Sequence, residues 1–225
     1  MPILAYILTA LIAYLLGSIP TGFLVARAKG VDIRSAGSGN IGATNAMRVL
    51  GKPAGILVLL MDAVKGWIAC NLGVFICAYF APNFDGLSPY TDSFTEPSMP
   101  PLERFKIIAG IFAVLGHNYT CWLKFKGGKG IATTAGVYLA LAPWAVLVAL
   151  VVFILAVLVT RYVSIGSISA AVALPAAVWI MTPNNLLLGI VTTALGALAV
   201  YKHKSNIQRL MAGTENRLGN KKETK

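Results

Sequence analysis

The sequence predicts an all-α integral membrane protein with seven transmembrane helices, its N-terminus outside and its C-terminus inside. Three observations lead there. Of the 225 residues, 57% are hydrophobic and only 12% charged, whereas about a quarter of a soluble domain is charged. Apolar runs near the roughly 20 residues that cross a bilayer recur from end to end. The basic residues fall in short segments between those runs, mostly on one side, as the positive-inside rule requires.

The first run, 3–25, has no basic segment before it, and its first charge is Arg27. It therefore reads as a span with its basic flank inside, not as a cleaved signal peptide. Pro53 opens the second span, 54–80, which holds Asp62 and Lys65 three residues apart. Ionisable residues within a membrane face a partner or a site, and an internal ion pair is the plain account here. Cys70 and Cys77 share this span as small hydrophobes. With Cys121 they make an odd count without a CxxC, so no disulfide frame and no metal site follow. The loop at 81–105 carries Asp85, Asp92, Glu96 and Glu103, half of the chain's eight acids, and is expected outside.

A third span follows at 106–123. The stretch from 131 to 160 could form one tilted helix, but Ala142-Pro143-Trp144 interrupts it, and proline disfavours helix in itself and in the residue before it. Parity decides. If the chain turns at Pro143, 16 of the 19 Lys and Arg residues lie inside, Arg104 and Lys106 lie outside, and Lys65 stays within a span. Without the turn, Arg161 and the basic tail would be outside. The expected spans are therefore 3–25, 54–80, 106–123, 131–142, 144–160, 163–181 and 185–201, with an inner tail at 202–225, all in one polytopic domain, 1–225. Segment 131–142 reaches only about 18 Å against a core of roughly 30 Å, so it either starts earlier or is a partial span shielded by its neighbours. The net charge of +11 sits between spans, which speaks for anionic headgroups or anionic substrates and against nucleic acid.

Three polar stretches end up on the same side. In AGSGNIGATNAMRVLGK, Gly37, Gly39 and Gly42 match GxGxxG, but no βα unit precedes them; the spacing also nearly makes a P-loop, with Ala43 where its lysine belongs. Both nucleotide readings fail. What survives is a run of small residues whose amides can face an anion at a helix start. Ser38 or Asn40 is expected to cap a helix running to Leu50, which Gly51 ends. Thr44 and Arg48, four apart, share a face on which a hydroxyl and a guanidinium can meet one phosphate. In GHNYTCWLKFKGGKGIATTAG, Gly127, Gly128, Lys129 and Gly130 precede a helix and can form a phosphate nest with Lys129 as point charge. His117 and Asn118 end a span on the same side; a lone histidine there reads first as a structural hydrogen-bonder. In YKHKSNIQRLMAGTENRLG, a terminal helix places His203, Asn206 and Arg209 near one face, which also suits a basic tail lying on anionic lipid. Ser164, Ser167 and Ser169 begin the sixth span nearby.

Absences narrow the chemistry further. The sequence has no H-x4-D, no GxSxG, no HExxH and no acidic cluster for two metals. A site rich in cations and poor in acids and bases stabilises phosphate electrostatically, and it suits an electrophile that arrives activated. A transporter for an organic phosphate is the competing class, but transporters carry internal repeats and a mid-membrane site, and neither is visible.

Taken together and in this order, GSGNIGATNAMRVLG, GHNYTCWLKFKGGKGIATTAG and HKSNIQRLMAGTENR resemble the three signature motifs of the bacterial acyl-phosphate:glycerol-3-phosphate acyltransferases (PlsY). The resemblance implies an inner-membrane enzyme with a periplasmic N-terminus, a cytoplasmic C-terminus and its site on the cytoplasmic face. It implies transfer of a fatty acyl group from acyl phosphate to the sn-1 hydroxyl of glycerol 3-phosphate, giving lysophosphatidic acid and phosphate, with no cofactor and no covalent acyl-enzyme. Acyl phosphate would come from a soluble partner enzyme (PlsX). By motif, Ser38, Arg48, His203 and Asn206 are expected to be catalytic. Gly37, Gly39, Asn40, Gly42, Thr44, Asn45, Gly127, Gly128, Lys129, Gly130 and Ser167 are expected to bind substrate, and Glu215 to be structural. The loop at 81–105 is longer than the family leads one to expect.

Overall fold

Long apolar runs punctuated by proline and glycine fold as helices that stop where backbone donors or dihedrals fail. The computed structural model describes residues 2–80 and 101–219; most of the loop at 81–105 that is expected outside, residues 81–100, lies beyond the described residues. All regular structure in the described residues is helical. The chain divides into two compact units, Met1–Leu141 and Ala142–Lys225.

The first unit holds α1 (Pro2–Ser18), α2 (Thr21–Ala28), α3 (Ala43–Leu50), α4 (Lys52–Phe80), α5 (Pro101–Asn118) and α6 (Ile131–Leu141), with one tight turn at Cys121–Leu123 between the last two. The first expected span is thus two helices. Pro20 offers no amide to the preceding turn, and Ile19 N–H falls back on the Leu16 carbonyl at 3.3 Å. Membrane helices gain little from hiding apolar surface from one another, so close contact depends on small residues. Gly66 of α4 abuts the Thr133 carbonyl of α6, and Gly136 of α6 abuts the Ala63 carbonyl of α4. A Cβ at either would overlap the partner backbone. Isoleucines and leucines such as Ile7, Leu11, Leu57 and Leu60 remain exposed on the outer faces, where lipid covers them.

The second unit holds α7 (Pro143–Thr160), α8 (Val163–Met181), α9 (Leu186–Lys202) and α10 (Lys204–Met211). The break expected before Pro143 is present, with Ala142 outside the helical region at φ −149° and ψ 72°. Arg161 takes a left-handed φ of 63° between α7 and α8. Asn185 caps α9 by accepting from Leu188 N–H at 3.0 Å, and α10 leaves α9 at a bend of 51°.

Four stretches of the described residues are long and apolar enough to cross a bilayer: Ile3–Ala28, Lys52–Phe80, Pro143–Thr160 and Val163–Met181. The bent pair α9 and α10 makes a fifth if taken as one. The expected span at 106–123 corresponds to α5, which starts earlier and carries Glu103, Arg104 and Lys106 in its opening turns. Helix α6 has 11 residues.

Candidate active site

The loop from 33 to 42 is organised from inside by Asn45. That residue is 2% exposed. Its Nδ2 donates to the carbonyls of Asn40 at 2.8 Å, Ala36 at 3.0 Å and Ile33 at 3.3 Å. Its Oδ1 accepts from Ser38 N–H at 2.8 Å and lies 3.4 Å from Arg48 Nη1. The side chain expected to touch substrate is therefore spent on the loop's own backbone. Gly37 and Gly39 stand at φ 61° and 71°, a region that strains other residues. At Gly37 a Cβ would also strike Asn45 Oδ1.

The expected helix cap is corrected. Gly42 is the residue before α3, and no side chain caps the helix. Asn40 instead turns back on itself, its Oδ1 accepting from Gly42 N–H at 2.8 Å, while Ser38 is exposed with its amide held by Asn45. The first amides of α3 are thus left to a ligand or to water. Thr44 and Arg48 are both exposed one turn apart on α3, as their spacing predicts. At the loop's entrance Asp32 accepts a bidentate hydrogen bond from Arg34 at 2.9 and 2.8 Å, which holds its carboxyl down at about 2. Arg34 also lies 4.9 Å over the Phe23 ring.

The second glycine-rich stretch is seated on the end of α5. Gly128 N–H donates to the His117 carbonyl at 3.0 Å and Gly127 N–H to the Asn118 carbonyl at 3.3 Å. Gly130 has φ 83° and leads into α6, with Lys129 half-buried before it. An apolar pad under the first stretch, Ile33, Ile41, Ala46 and Val58, packs with Leu123 of the tight turn that precedes the second. The pad thus ties the loop carrying Gly37, Gly39 and Gly42 to the turn that leads into Gly127, Gly128 and Gly130, all within the first unit.

Beneath them lies a buried polar cluster that sequence reading saw only as separate residues. Asp62 Oδ1 accepts from Lys65 Nζ at 2.7 Å and from Thr21 Oγ1 at 3.0 Å, and His117 Nδ1 lies 3.6 Å away. Thr21 was not anticipated at all. The available signal was the helix-breaking Ile19-Pro20 before it.

In the second unit, His203 stands at the bend between α9 and α10, 2% exposed, with Nδ1 2.7 Å from the Ala199 carbonyl. A carbonyl can only accept, so Nδ1 carries the proton and the ring's basic lone pair is on Nε2. Asn206 Nδ2 donates to Glu215 Oε1 at 2.8 Å and Arg209 Nε to Glu215 Oε2 at 2.7 Å. Burial works to raise the Glu215 pKa, and these hydrogen bonds more than offset it, leaving the carboxyl below its ordinary value. Ser164 and Ser167 are both buried on α8, one turn apart. Among the described residues, no three His, Cys, Asp or Glu side chains gather as a metal would require.

Comparison with known proteins gives the family. Residues 7–213 match the family model described as Glycerol-3-phosphate acyltransferase. The glycerol-3-phosphate acyltransferase of Geobacter sulfurreducens is 46% identical over 215 residues, covering 94% of this chain and 96% of that one. Its counterpart from Geotalea daltonii is 45% identical over 204 residues, covering 91% and 93%. Among solved structures, the glycerol 3-phosphate form of the integral membrane acyltransferase PlsY superposes with a TM-score of 0.78 at 36% identity, covering 95% of this chain and 96% of that one. Its lysophosphatidic acid form gives 0.75 over 95% of each. On these matches the chain belongs to the PlsY family of integral membrane glycerol-3-phosphate acyltransferases.

Proposed function

We propose that this acyltransferase takes its acyl group from acyl phosphate and delivers it to the sn-1 hydroxyl of glycerol 3-phosphate. The products are lysophosphatidic acid and phosphate. The observation that carries the reading is the pair of glycine-rich loops in one compact unit, the first joined through an apolar pad to the turn that precedes the second, each with a cation in its own stretch, Arg48 and Lys129. Both substrates bring a phosphate, and each loop suits one. The solved PlsY structures were obtained in glycerol 3-phosphate and lysophosphatidic acid forms, which supports the acceptor and the product.

The resemblance points to acyl phosphate as the donor, and its chemistry suits a site without a nucleophile. An acyl phosphate is a mixed anhydride with a good leaving group, so the acceptor hydroxyl can attack its carbonyl carbon directly. The new C–O ester bond forms, the bond to the phosphate oxygen breaks, and no acyl-enzyme intervenes. Ser38 and Arg48 would hold the donor's phosphate as charge builds on it, and Lys129 with Gly127, Gly128 and Gly130 the acceptor's. Thr44, Gly37, Gly39, Asn40 and Gly42 would complete the first anion loop, with Asn45 bracing it. Asn206 and Ser167 would orient polar groups of the substrates, Glu215 holding Asn206. The hydroxyl proton would pass to His203 Nε2 or to a substrate phosphate oxygen. Positioning and charge stabilisation would supply most of the rate.

The proposal includes seven spans in an inner membrane, with the termini periplasmic and cytoplasmic and the chemistry on the cytoplasmic face. The side-by-side bias of the basic segments supports it. A soluble enzyme of the PlsX type would furnish acyl phosphate. The test is incubation of purified protein with labelled glycerol 3-phosphate and either palmitoyl phosphate or palmitoyl-CoA. Labelled lysophosphatidic acid from the acyl phosphate alone is the expected result; product from the thioester alone would overturn the donor assignment.

A further inference from the structure

Asp62 and Lys65 lie one turn apart within α4, both buried. Such a pair is a poor device for stability, because the cost of desolvating two charges rivals their attraction, and apolar replacements of similar volume are often neutral or better. Its value must then lie in what it holds, and it reaches two places. Lys65 Nζ donates to the Ile19 carbonyl at 2.8 Å, at the break between α1 and α2. Asp62 Oδ1, already accepting from Lys65 and Thr21, faces His117 Nδ1 at 3.6 Å.

The His117 ring continues the path. A Cβ on Gly128 would overlap its Nε2 edge, so the loop backbone sits directly against the imidazole with no side chain between. The same residue's carbonyl accepts the Gly128 amide at 3.0 Å. A contiguous chain of contacts thus runs from a buried charge pair, through one ring, into the loop that carries Lys129.

We infer that Asp62, steadied by Lys65 and Thr21, is a positioning residue for the anion loop at 127–130, acting through the His117 ring. For the identity of the bound anion the inference rests on the acyl-transfer reading above. A carboxylate oxygen 3.6 Å from Nδ1, longer than a hydrogen bond, attracts the polar edge of the ring and so biases the plane in which it lies. The ring in turn sets how far Gly128 stands from α5, and with it the direction of the loop amides. Close-packed contacts pass such a displacement on instead of absorbing it. Misplacement on the ångström scale is costly where reactants must be aligned.

The test removes both charges together, as Asp62→Leu with Lys65→Met, so that no unpaired charge is left buried. His117→Gln is the second variant and keeps the pair intact. Three readouts apply: the thermal midpoint in detergent, amide exchange of the peptide covering 127–130, and KM and kcat for glycerol 3-phosphate with palmitoyl phosphate. The double variant is expected to keep its thermal midpoint, while loop exchange and KM each rise about tenfold and kcat changes far less. His117→Gln is expected to do the same, and to add nothing in the double-variant background because the path is shared. A folded double variant with wild-type loop exchange and KM overturns the inference, as does additive damage from His117→Gln. If the double variant does not fold, His117→Gln decides alone: faster loop exchange supports the path and unchanged exchange overturns it. Wild-type protein that makes no lysophosphatidic acid, yet whose loop exchange responds to these variants, refutes the acyl-transfer reading and supports the positioning path.

Discussion

Replacing Asn45 by alanine separates two roles that one residue could play in the first anion loop. Its Nδ2 carries two protons, so of the three carbonyls around it those at 2.8 and 3.0 Å take full hydrogen bonds and the third, at 3.3 Å, shares one. Adding the Ser38 amide on Oδ1 at 2.8 Å gives three bonds of good length. At about 1 kcal/mol net each, their loss removes about 3 kcal/mol from the ordered loop, roughly a hundredfold in its population. The Ser38 amide loses its acceptor outright, so its exchange is expected to quicken by about that factor. On the mechanism proposed above acyl transfer uses the ordered loop, so kcat/KM is expected to fall by at least tenfold. Asn45→Asp is a sharper probe, because it keeps the Ser38 acceptor but turns a carboxylate oxygen towards three carbonyls; it is expected to be no better than alanine. Peptide-resolved amide exchange over 33–42, read beside steady-state kinetics, makes the comparison. If Asn45→Ala raised only the KM for one substrate and left loop exchange at the wild-type rate, Asn45 would be a ligand and the brace argument would be wrong.

Other substitutions test other links. His203→Ala is expected to lower kcat by about a hundredfold or more, in the usual range for general acid–base catalysis, with a lesser change in KM; near-full kcat would send the proton to a substrate phosphate oxygen. Arg48→Lys keeps the charge but loses the planar fork, so kcat/KM is expected to drop more than tenfold, an assay that a purely topological arginine would pass. Gly136→Leu forces α6 away from the Ala63 backbone, and overpacking of this kind costs about 1–3 kcal/mol or more, visible as a lower thermal midpoint in detergent. For Glu215, whose folded pKa lies below its ordinary value of 4.5, the stabilisation is present above that pH and is lost as pH falls through the lower folded value. Glu215→Gln is expected to flatten this acid limb of the stability profile, and an unchanged limb would remove Glu215 as its source.

Much of this was legible because proline and glycine act locally. Pro143 stops α6 from running into α7 for reasons contained in the dipeptide, and Gly51 ends α3 in the same way. Thr44 and Arg48 share a face by helical spacing alone. The break at Pro20 was missed because the apolar run on both sides satisfies the length of a span, and hydropathy does not register a lost amide. Asn45 was placed among substrate ligands because motif reading gives a polar residue no direction; only the folded loop brings three carbonyls to its amide. The cluster of Asp62, Thr21 and His117 draws on three helices, so no window of sequence could have contained it. For Asp62 and Lys65, spacing revealed the pair but not its third and fourth partners.

The shortness of α6 bears on how the protein is made. A helix of 11 residues extends about 16 Å, roughly half the hydrocarbon thickness, and carries two threonines in its first turn. Released singly from an insertion machinery, such a segment gains too little from lipid to stay. Its reciprocal fit with α4, Gly66 under Thr133 and Gly136 under Ala63, gives it a partner already in the bilayer when it emerges. The fold therefore predicts an order of insertion in which α4 precedes α6 and holds it, so that a Gly66→Leu substitution is expected to leave α6 outside the bilayer in a truncated chain ending after α6.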